Sequence, residues 1–326
     1  MAKTLIILFF ATLALGVPVA FTMGIAGMTA VFLDGGLNPL ILTQRMFAGI
    51  DSFPLMAVPI FILASELMTA CGLTQALLRF ANALVGHLRG GLGHVNIVVS
   101  MLFAGISGSA LADAAGPSAI VMRMMRGAGY NPAYAGALSA ATATIGPIIP
   151  PSILAVIFAI NTTQVSVAGL FLAGILPGLL LGLALACANH FVSMKNNYRG
   201  SEHWAGTREL GLATLGALPA LAMPAIILGG IIFGVFTPTE AGAAASAYAL
   251  FIGLLLGRLN IRSIYGAFAR AAVITSSVLL IVAMASIFAW LLTYVQVPQQ
   301  IAAGIAAITE NKLAILFILA AFALVC

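Results

Sequence analysis

Charge is what this sequence has least of. Its 326 residues include 13 Lys and Arg and 8 Asp and Glu, 6% in all. Soluble domains carry roughly 25% charged residues. With 62% hydrophobic residues, the sequence excludes a soluble globular protein and predicts a polytopic, all-α membrane protein. The apolar runs are about 20 residues long rather than alternating segments of about ten, which excludes a transmembrane β-barrel. Cysteine is sparse too: Cys71, Cys187 and Cys326 lie far apart and form no CxxC pair, so they read as small apolar residues in helices. No Walker A motif is present, so ATP is not expected to drive this chain. No cleavage site interrupts the first apolar run, which begins at Thr4 and is expected to be the first membrane helix rather than a signal peptide. The net charge of +5 is spread singly or in small groups between apolar runs, the pattern of positive-inside orientation rather than of nucleic-acid binding.

The apolar runs and their basic flanks predict a topology. Run 4–33 goes outward from Lys3, 34–50 is a loop, and 53–70 returns to a cytoplasmic segment carrying Arg79, His87 and Arg89. Residues 91–125 are bounded by bases at both ends, Arg89 before and Arg123 and Arg126 after. A segment with two cytoplasmic ends must enter and return, so 91–125 is expected to be a re-entrant hairpin. Run 168–194 returns to a cytoplasmic linker over 195–210, run 212–236 goes out and 240–257 comes back. Residues 260–270 are expected to form a short interfacial helix, 271–296 goes out, 298–311 is external, and a last run begins at Leu313.

Two stretches break this apolar background. Gly105-Ile106-Ser107-Gly108-Ser109-Ala110-Leu111-Ala112-Asp113 places small residues and hydroxyls at the middle of the hairpin, where a tip belongs. Thr144-Ile145-Gly146-Pro147-Ile148-Ile149-Pro150-Pro151-Ser152 carries three prolines, which remove backbone donors and stop a helix near Ile145. Unwound backbone at membrane depth survives only where it is buried in protein or lines a polar cavity.

The halves are weakly alike. Gly16-Val17-Pro18 is echoed by Gly234-Val235-Phe236-Thr237-Pro238, and Ile60-Phe61-Ile62-Leu63-Ala64 by Ile287-Phe288-Ala289-Trp290-Leu291. Corresponding helices run in opposite directions, which predicts an inverted repeat. The expected parts are first-repeat scaffold helices over 1–90, a transport region over 91–165 (hairpin 91–125, broken helix 131–161), a return helix and linker over 166–210, second-repeat helices over 211–310, and the first arm of a second hairpin over 311–326. On this reading the second repeat is incomplete after residue 326, and a second tip and second broken helix, about 100 residues by repeat arithmetic, would follow.

Six motifs in order carry a family resemblance. They are Leu15-Gly16-Val17-Pro18-Val19-Ala20, Asp51-Ser52-Phe53-Pro54-Leu55, Gly86-His87-Leu88-Arg89-Gly90-Gly91, Ile106 to Asp113, Ile145 to Ser152, and Phe236-Thr237-Pro238-Thr239-Glu240-Ala241. With them the chain resembles the large membrane subunit of tripartite ATP-independent periplasmic (TRAP) transporters, from Leu15 to Cys326. The resemblance implies an elevator-type, sodium-coupled importer in a bacterial inner membrane. It also implies a small four-helix membrane subunit, a periplasmic substrate-binding protein and a small organic acid (a C4-dicarboxylate, keto acid or sugar acid) as partners.

Sodium takes hard oxygen ligands, and unwound segments supply them as carbonyls and hydroxyls. The expected sodium ligands are Ser107, Gly108 and Ser109 at the tip and Thr142, Thr144, Ile145, Gly146 and Pro147 at the break. Substrate contact or coupling is expected at Ser109, Ala110, Asp113, Pro150 and Ser152, with the free N–H groups after Ala110 suited to a carboxylate. Asp113 is a carboxylate within an apolar segment, open to two readings: helix capping or ion coupling. Glu240 reads as an N-terminal helix charge beside an N-cap near Thr239. Glu66, within an apolar helix, is a buried ligand or faces a partner subunit. His87 and His94 read as interfacial, and with His190 and His203 share no metal-ligand spacing, so no transition-metal site and no organic cofactor are expected, with Na+ the coupling ion. No nucleophile–base pair or paired deep aspartates argue for an enzyme. The alternative function is a passive ion or organic-anion channel on the same hairpins.

Overall fold

Sixteen helices and one short 3-10 turn account for the ordered elements of the computed structural model, with no strand among the described residues. All residues are described except 163–164, 202–203, 309–310 and 326, together with the side chains of 34, 306, 308 and 322–325. Cys326 and His203 therefore lie outside the described residues. The helices are α1 (Ala2–Ala14), α2 (Val19–Asp34), α3 (Leu40–Ile50), α4 (Ala57–Ala70, preceded by the turn Phe53–Met56), α5 (Leu73–Val85), α6 (Gly91–Ser107), α7 (Ala110–Ala115) and α8 (Pro117–Gly127). They continue as α9 (Pro132–Ala143), α10 (Ile153–Asn161), α11 (Val167–Lys195), α12 (Gly206–Ile232), α13 (Pro238–Leu255), α14 (Ile261–Tyr294), α15 (Val297–Ile308) and α16 (Lys312–Val325).

Four segments are long and apolar enough to cross a membrane: Phe53–Ala70, α11, α12 and α14. Pro177 lies inside α11, and Pro219 and Pro224 inside α12. Membrane helices tolerate such prolines because neighbouring groups re-satisfy the freed carbonyls. Tyr248 of α13 donates to the carbonyl oxygen of Pro219 at 2.9 Å and so ties α13 to α12. Large apolar side chains such as Leu183, Phe233 and Phe251 stay exposed, as acyl chains rather than water would require.

By packing, the chain forms two compact units, Met1–Asp51 with Ser276–Cys326, and Ser52–Thr275. The division at Thr275–Ser276 falls within α14, which contributes to both.

In the first unit, the single outward helix expected over 4–33 is replaced by a helical hairpin. Gly16 adopts φ +79°, Pro18 starts α2, and Leu5 of α1 shares a core with Ala26 and Ala30 of α2. A left-handed glycine followed by a helix-starting proline turns the chain where the apolar run is unbroken in composition. The expected loop over 34–50 contains α3, whose Leu42 packs into the same core, and Arg45 lies over the Trp290 ring at 5.1 Å from its centroid. Gly27 lies against Ile287 and Leu291 of α14, where an added Cβ would stand 3.2 Å from each.

In the second unit, α4 packs on α13 and α5 on α12, while α6, α8, α9 and α11 surround one core of Val95, Ile97, Val99, Val121, Met125 and Leu138. One further expectation is corrected. Residues 260–270 are not a separate interfacial helix but the first turns of the 34-residue α14, since no glycine or proline interrupts the chain after Gly266. Residues 298–311, expected to be external, begin in α15, with Pro298 in the first turn, where a proline is tolerated.

Candidate functional site

Residues 91–127 form a helical hairpin. α6 and α8 pack against each other, with Ser100 and Ser118 hydroxyls 3.1 Å apart, and the turn between them lies at Gly108-Ser109. Both ends meet the same residue. Gly90, before α6, donates its N–H to the Tyr198 carbonyl, and Tyr130, after α8, stacks on the Tyr198 ring at 4.2 Å. The 17-residue α6 is about 25 Å long at 1.5 Å per residue, short of the ~30 Å hydrocarbon thickness. The two arms therefore start and end beside one another at Tyr198.

At the tip, Gly108 ends α6 in the left-handed region at φ +60° and Ser109 is extended. The Ser109 hydroxyl accepts the Ala112 N–H at 3.3 Å and so caps α7. Ser107 is buried, and its Oγ accepts the Ser109 N–H at 3.4 Å. The returning arm is itself interrupted: α7 stops at Gly116 and Pro117 opens α8.

At the break, α9 ends at Ala143 and α10 begins after Ser152. The intervening residues include a cis Pro150–Pro151 bond. The Ser152 hydroxyl accepts the Ala155 N–H at 3.1 Å and donates to the Pro147 carbonyl, so one side chain starts α10 and ties it to the unwound segment.

Tip and break are in backbone contact. A Cβ on Gly108 would collide with the Pro151 carbonyl oxygen, and a Cβ on Gly146 would stand 3.1 Å from the Ser109 carbonyl carbon and oxygen. Among the described residues, the carbonyls of Ser107, Gly108, Thr144 and Gly146 accept no hydrogen bond. Two unwound segments thus meet with unused oxygens, from residues that sequence reasoning singled out. Other expected ligands are committed elsewhere. The Thr142 hydroxyl receives the Asn96 amide at 3.2 Å and donates to the Ser139 carbonyl. Thr144 is exposed, its hydroxyl on the Ala141 carbonyl at 2.7 Å. The Ile145 carbonyl accepts the N–H groups of Ile148 and Ile149 at 3.0 Å, and the Pro147 carbonyl accepts Ser152. Ala110 starts α7, and Pro150 is buried between the tip and α11.

Asp113 is fully buried and turned away from the α7 N-terminus that Ser109 caps. Its Oδ2 accepts the Ser118 hydroxyl at 3.3 Å, and Oδ1 has no partner among the described residues. One turn further down α6, buried Asn96 donates to Ser139 and Thr142 while its Oδ1 also lacks a partner. Sequence reasoning missed this Asn96–Ser139–Thr142 group; its signal was an asparagine four residues before Ser100 on an apolar helix.

The remaining polar residues find structural places. Glu66 pairs with Arg270 of α14 at 2.7 Å. Thr237, not Thr239, is the N-cap of α13: Pro238 takes the first helical position, and Glu240 reaches back to the Thr237 N–H at 2.8 Å, completing a capping box. His94 is buried, its ring 6.3 Å from that of His190. No cluster of metal-ligating side chains exists among the described residues. Cys71 is buried and Cys187 exposed, neither in a disulfide.

The family model for the DctM component of tripartite ATP-independent periplasmic transporters matches residues 6–326. The chain belongs to that family. It is a transporter component, not an enzyme. The sialic acid TRAP transporter large permease protein of Vibrio cholerae is 39% identical over 305 residues, 93% of this chain and 71% of that protein. The 2,3-diketo-L-gulonate TRAP transporter large permease protein of Escherichia coli is 37% identical over 290 residues, 89% and 68% of the two chains. The C4-dicarboxylate TRAP transporter large permease protein of Pseudomonas aeruginosa is 35% identical over 285 residues, 87% and 66% of the two chains.

Proposed function

We propose that this chain is the large membrane subunit of a sodium-coupled importer of small organic acids, working by an elevator movement of an inverted-repeat fold. Its partners on this reading are a small four-helix membrane subunit and a periplasmic substrate-binding protein. Its place is a bacterial inner membrane, with Lys3 and the N-terminus cytoplasmic. The observation that carries the reading is the contact of two unwound backbones at Gly108 and Gly146, with the carbonyls of Ser107, Gly108, Thr144 and Gly146 left unpaired beside it. An oxygen-rich junction of two helix interruptions suits a desolvated hard cation.

Sodium is held between tip and break by these carbonyls, with Ser107 and Ser109 nearby, and the substrate carboxylate lies at the start of α7, near Ser109 and Ser152. Bound sodium and the α7 and α10 N-termini meet its charge. Asp113, buried with one oxygen unpartnered, couples ion occupancy to the hairpin's arms through Ser118 and Ser100. The named substrates of the relatives (sialic acid, 2,3-diketo-L-gulonate and C4-dicarboxylates) are all organic acids, which supports that class here.

Uptake into proteoliposomes tests the proposal, using the full-length protein with its small subunit and binding protein and a panel of labelled organic acids. Uptake requiring both an inward sodium gradient and the binding protein is expected. Uptake independent of both, or passive conductance alone, overturns the reading in favour of a channel.

A further inference from the structure

A cavity of about 640 Å³ lies away from the tip and break, among Cys71, Gly72, Gln75, Arg79, Leu212 and Arg258. It sits where α4 ends and α5 begins, against the first turns of α12 and the end of α13. Each of those ends carries basic residues that the positive-inside rule assigns to the cytoplasm: Arg79, Arg208 and Arg258. The cavity is therefore at the depth of the cytoplasmic headgroups. Buried Cys71 and Ala213 form its floor, and exposed Arg79 and Arg258 stand at its mouth.

The two arginines are not balanced. Arg79 has an exposed pairing with Glu209 at 3.4 Å. The Arg258 side chain makes no hydrogen bond or ion pair among the described residues. Two guanidinium groups against one carboxylate leave one positive charge at the mouth. Guanidinium presents its donors in a planar fork that matches a phosphate. One wall is apolar: Leu212, which lines the cavity, is 57% exposed, and Leu215, one turn on along α12, is exposed as well. A free anion has no use for that wall, whereas a phosphate attached to acyl chains does.

We propose that this cavity binds the phosphate headgroup of an anionic phospholipid from the cytoplasmic leaflet, with Arg79 and Arg258 on the phosphate and Leu212 against the acyl chains. The occupant bridges α5, α12 and the turn after α13, helices that already pack against one another through α12.

The test is native mass spectrometry of the purified, delipidated full-length protein with phosphatidylglycerol, phosphatidylcholine or inorganic phosphate added. Phosphatidylglycerol is expected to be retained in preference to phosphatidylcholine. Arg258→Gln should lower that retention about fivefold, as an arginine at an anionic surface is worth about 1 kcal/mol. Glu209→Gln, which frees Arg79, should raise it, so loss of folding cannot imitate both results. Arg199→Gln, on the linker after α11, should leave it unchanged. Equal retention of the two lipids, or of phosphatidylglycerol by wild type, Arg258→Gln and Glu209→Gln, overturns the proposal. Retention of inorganic phosphate without lipid overturns its lipid source.

Discussion

Gly108 and Gly234 have the same backbone and opposite surroundings. Both are left-handed, at φ +60° and +69°, and each ends a helix whose successor starts on a hydroxyl cap, Ser109 or Thr237. Around Gly234 an added Cβ would meet nothing within 4 Å, and the same holds for Gly16 in the matching turn of the first half. At Gly108 it would strike the Pro151 carbonyl, and nearby Gly146 closes on Ser109 from the other side. Glycine at 16 and 234 serves only to turn the chain. At 108 and 146 it also lets two backbones touch. Carbonyls that accept no hydrogen bond among the described residues occur at both kinds, Gly16 and Gly234 included. Only at the second kind do two unwound segments bring such carbonyls against each other.

That difference can be attacked by substitution. Gly108→Ala should have the largest effect, combining left-handed strain of about 1–2 kcal/mol with a backbone collision that must part tip and break. Uptake should fall to background, and thermal unfolding of the purified protein should drop by several degrees. Asp113→Asn comes next: the amide preserves the shape and can still accept from Ser118, so stability should change little while sodium-dependent uptake falls, an ionisable group within a membrane segment being functional by default. Unchanged uptake would make the carboxylate purely structural. Gly146→Ala asks its neighbours to give only a few tenths of an ångström. It should raise the sodium concentration needed for half-maximal uptake while sparing the fold. Gly234→Ala should cost about 1 kcal/mol of strain and leave sodium dependence untouched. Smallest is Thr237→Ala, which removes one half of an exposed capping box for about 1 kcal/mol or less, visible only in thermal unfolding.

The same contrast explains what the sequence discloses. The tip and the break were legible because Ser107-Gly108-Ser109 and the three prolines from Pro147 to Pro151 are conspicuous against an apolar background. The hairpin was expected from Arg89 and Arg126, bases at the two ends of a segment whose arms, about 15 residues each, are too short to span. The turn at Gly16 was recognised as a motif yet not as a reversal, because apolar composition continues through it and hydropathy is blind to direction. The helix α3 hid in a stretch read as a loop, since a short helix over Gln44 and Arg45 lowers hydropathy without breaking periodicity. Glu66 was ambiguous for a different reason. Its partner Arg270 lies 204 residues away, on a helix whose continuity across 260–271 the charges disguised. The Asn96 group escaped notice because one asparagine in a helix carries no spacing signal until α9 supplies Ser139 and Thr142.

The central claim is that sodium sits where tip and break touch. Its most direct test is sodium-dependent thermal stabilisation of the full-length protein, with choline as the control cation, in wild type, Gly146→Ala and Gly234→Ala. A ligand bound only by the folded state raises the unfolding temperature with concentration. The account predicts that sodium stabilises wild type and Gly234→Ala alike and stabilises Gly146→Ala only at much higher concentration. Sodium stabilisation of equal size and concentration dependence in all three proteins, or none in wild type, would contradict it.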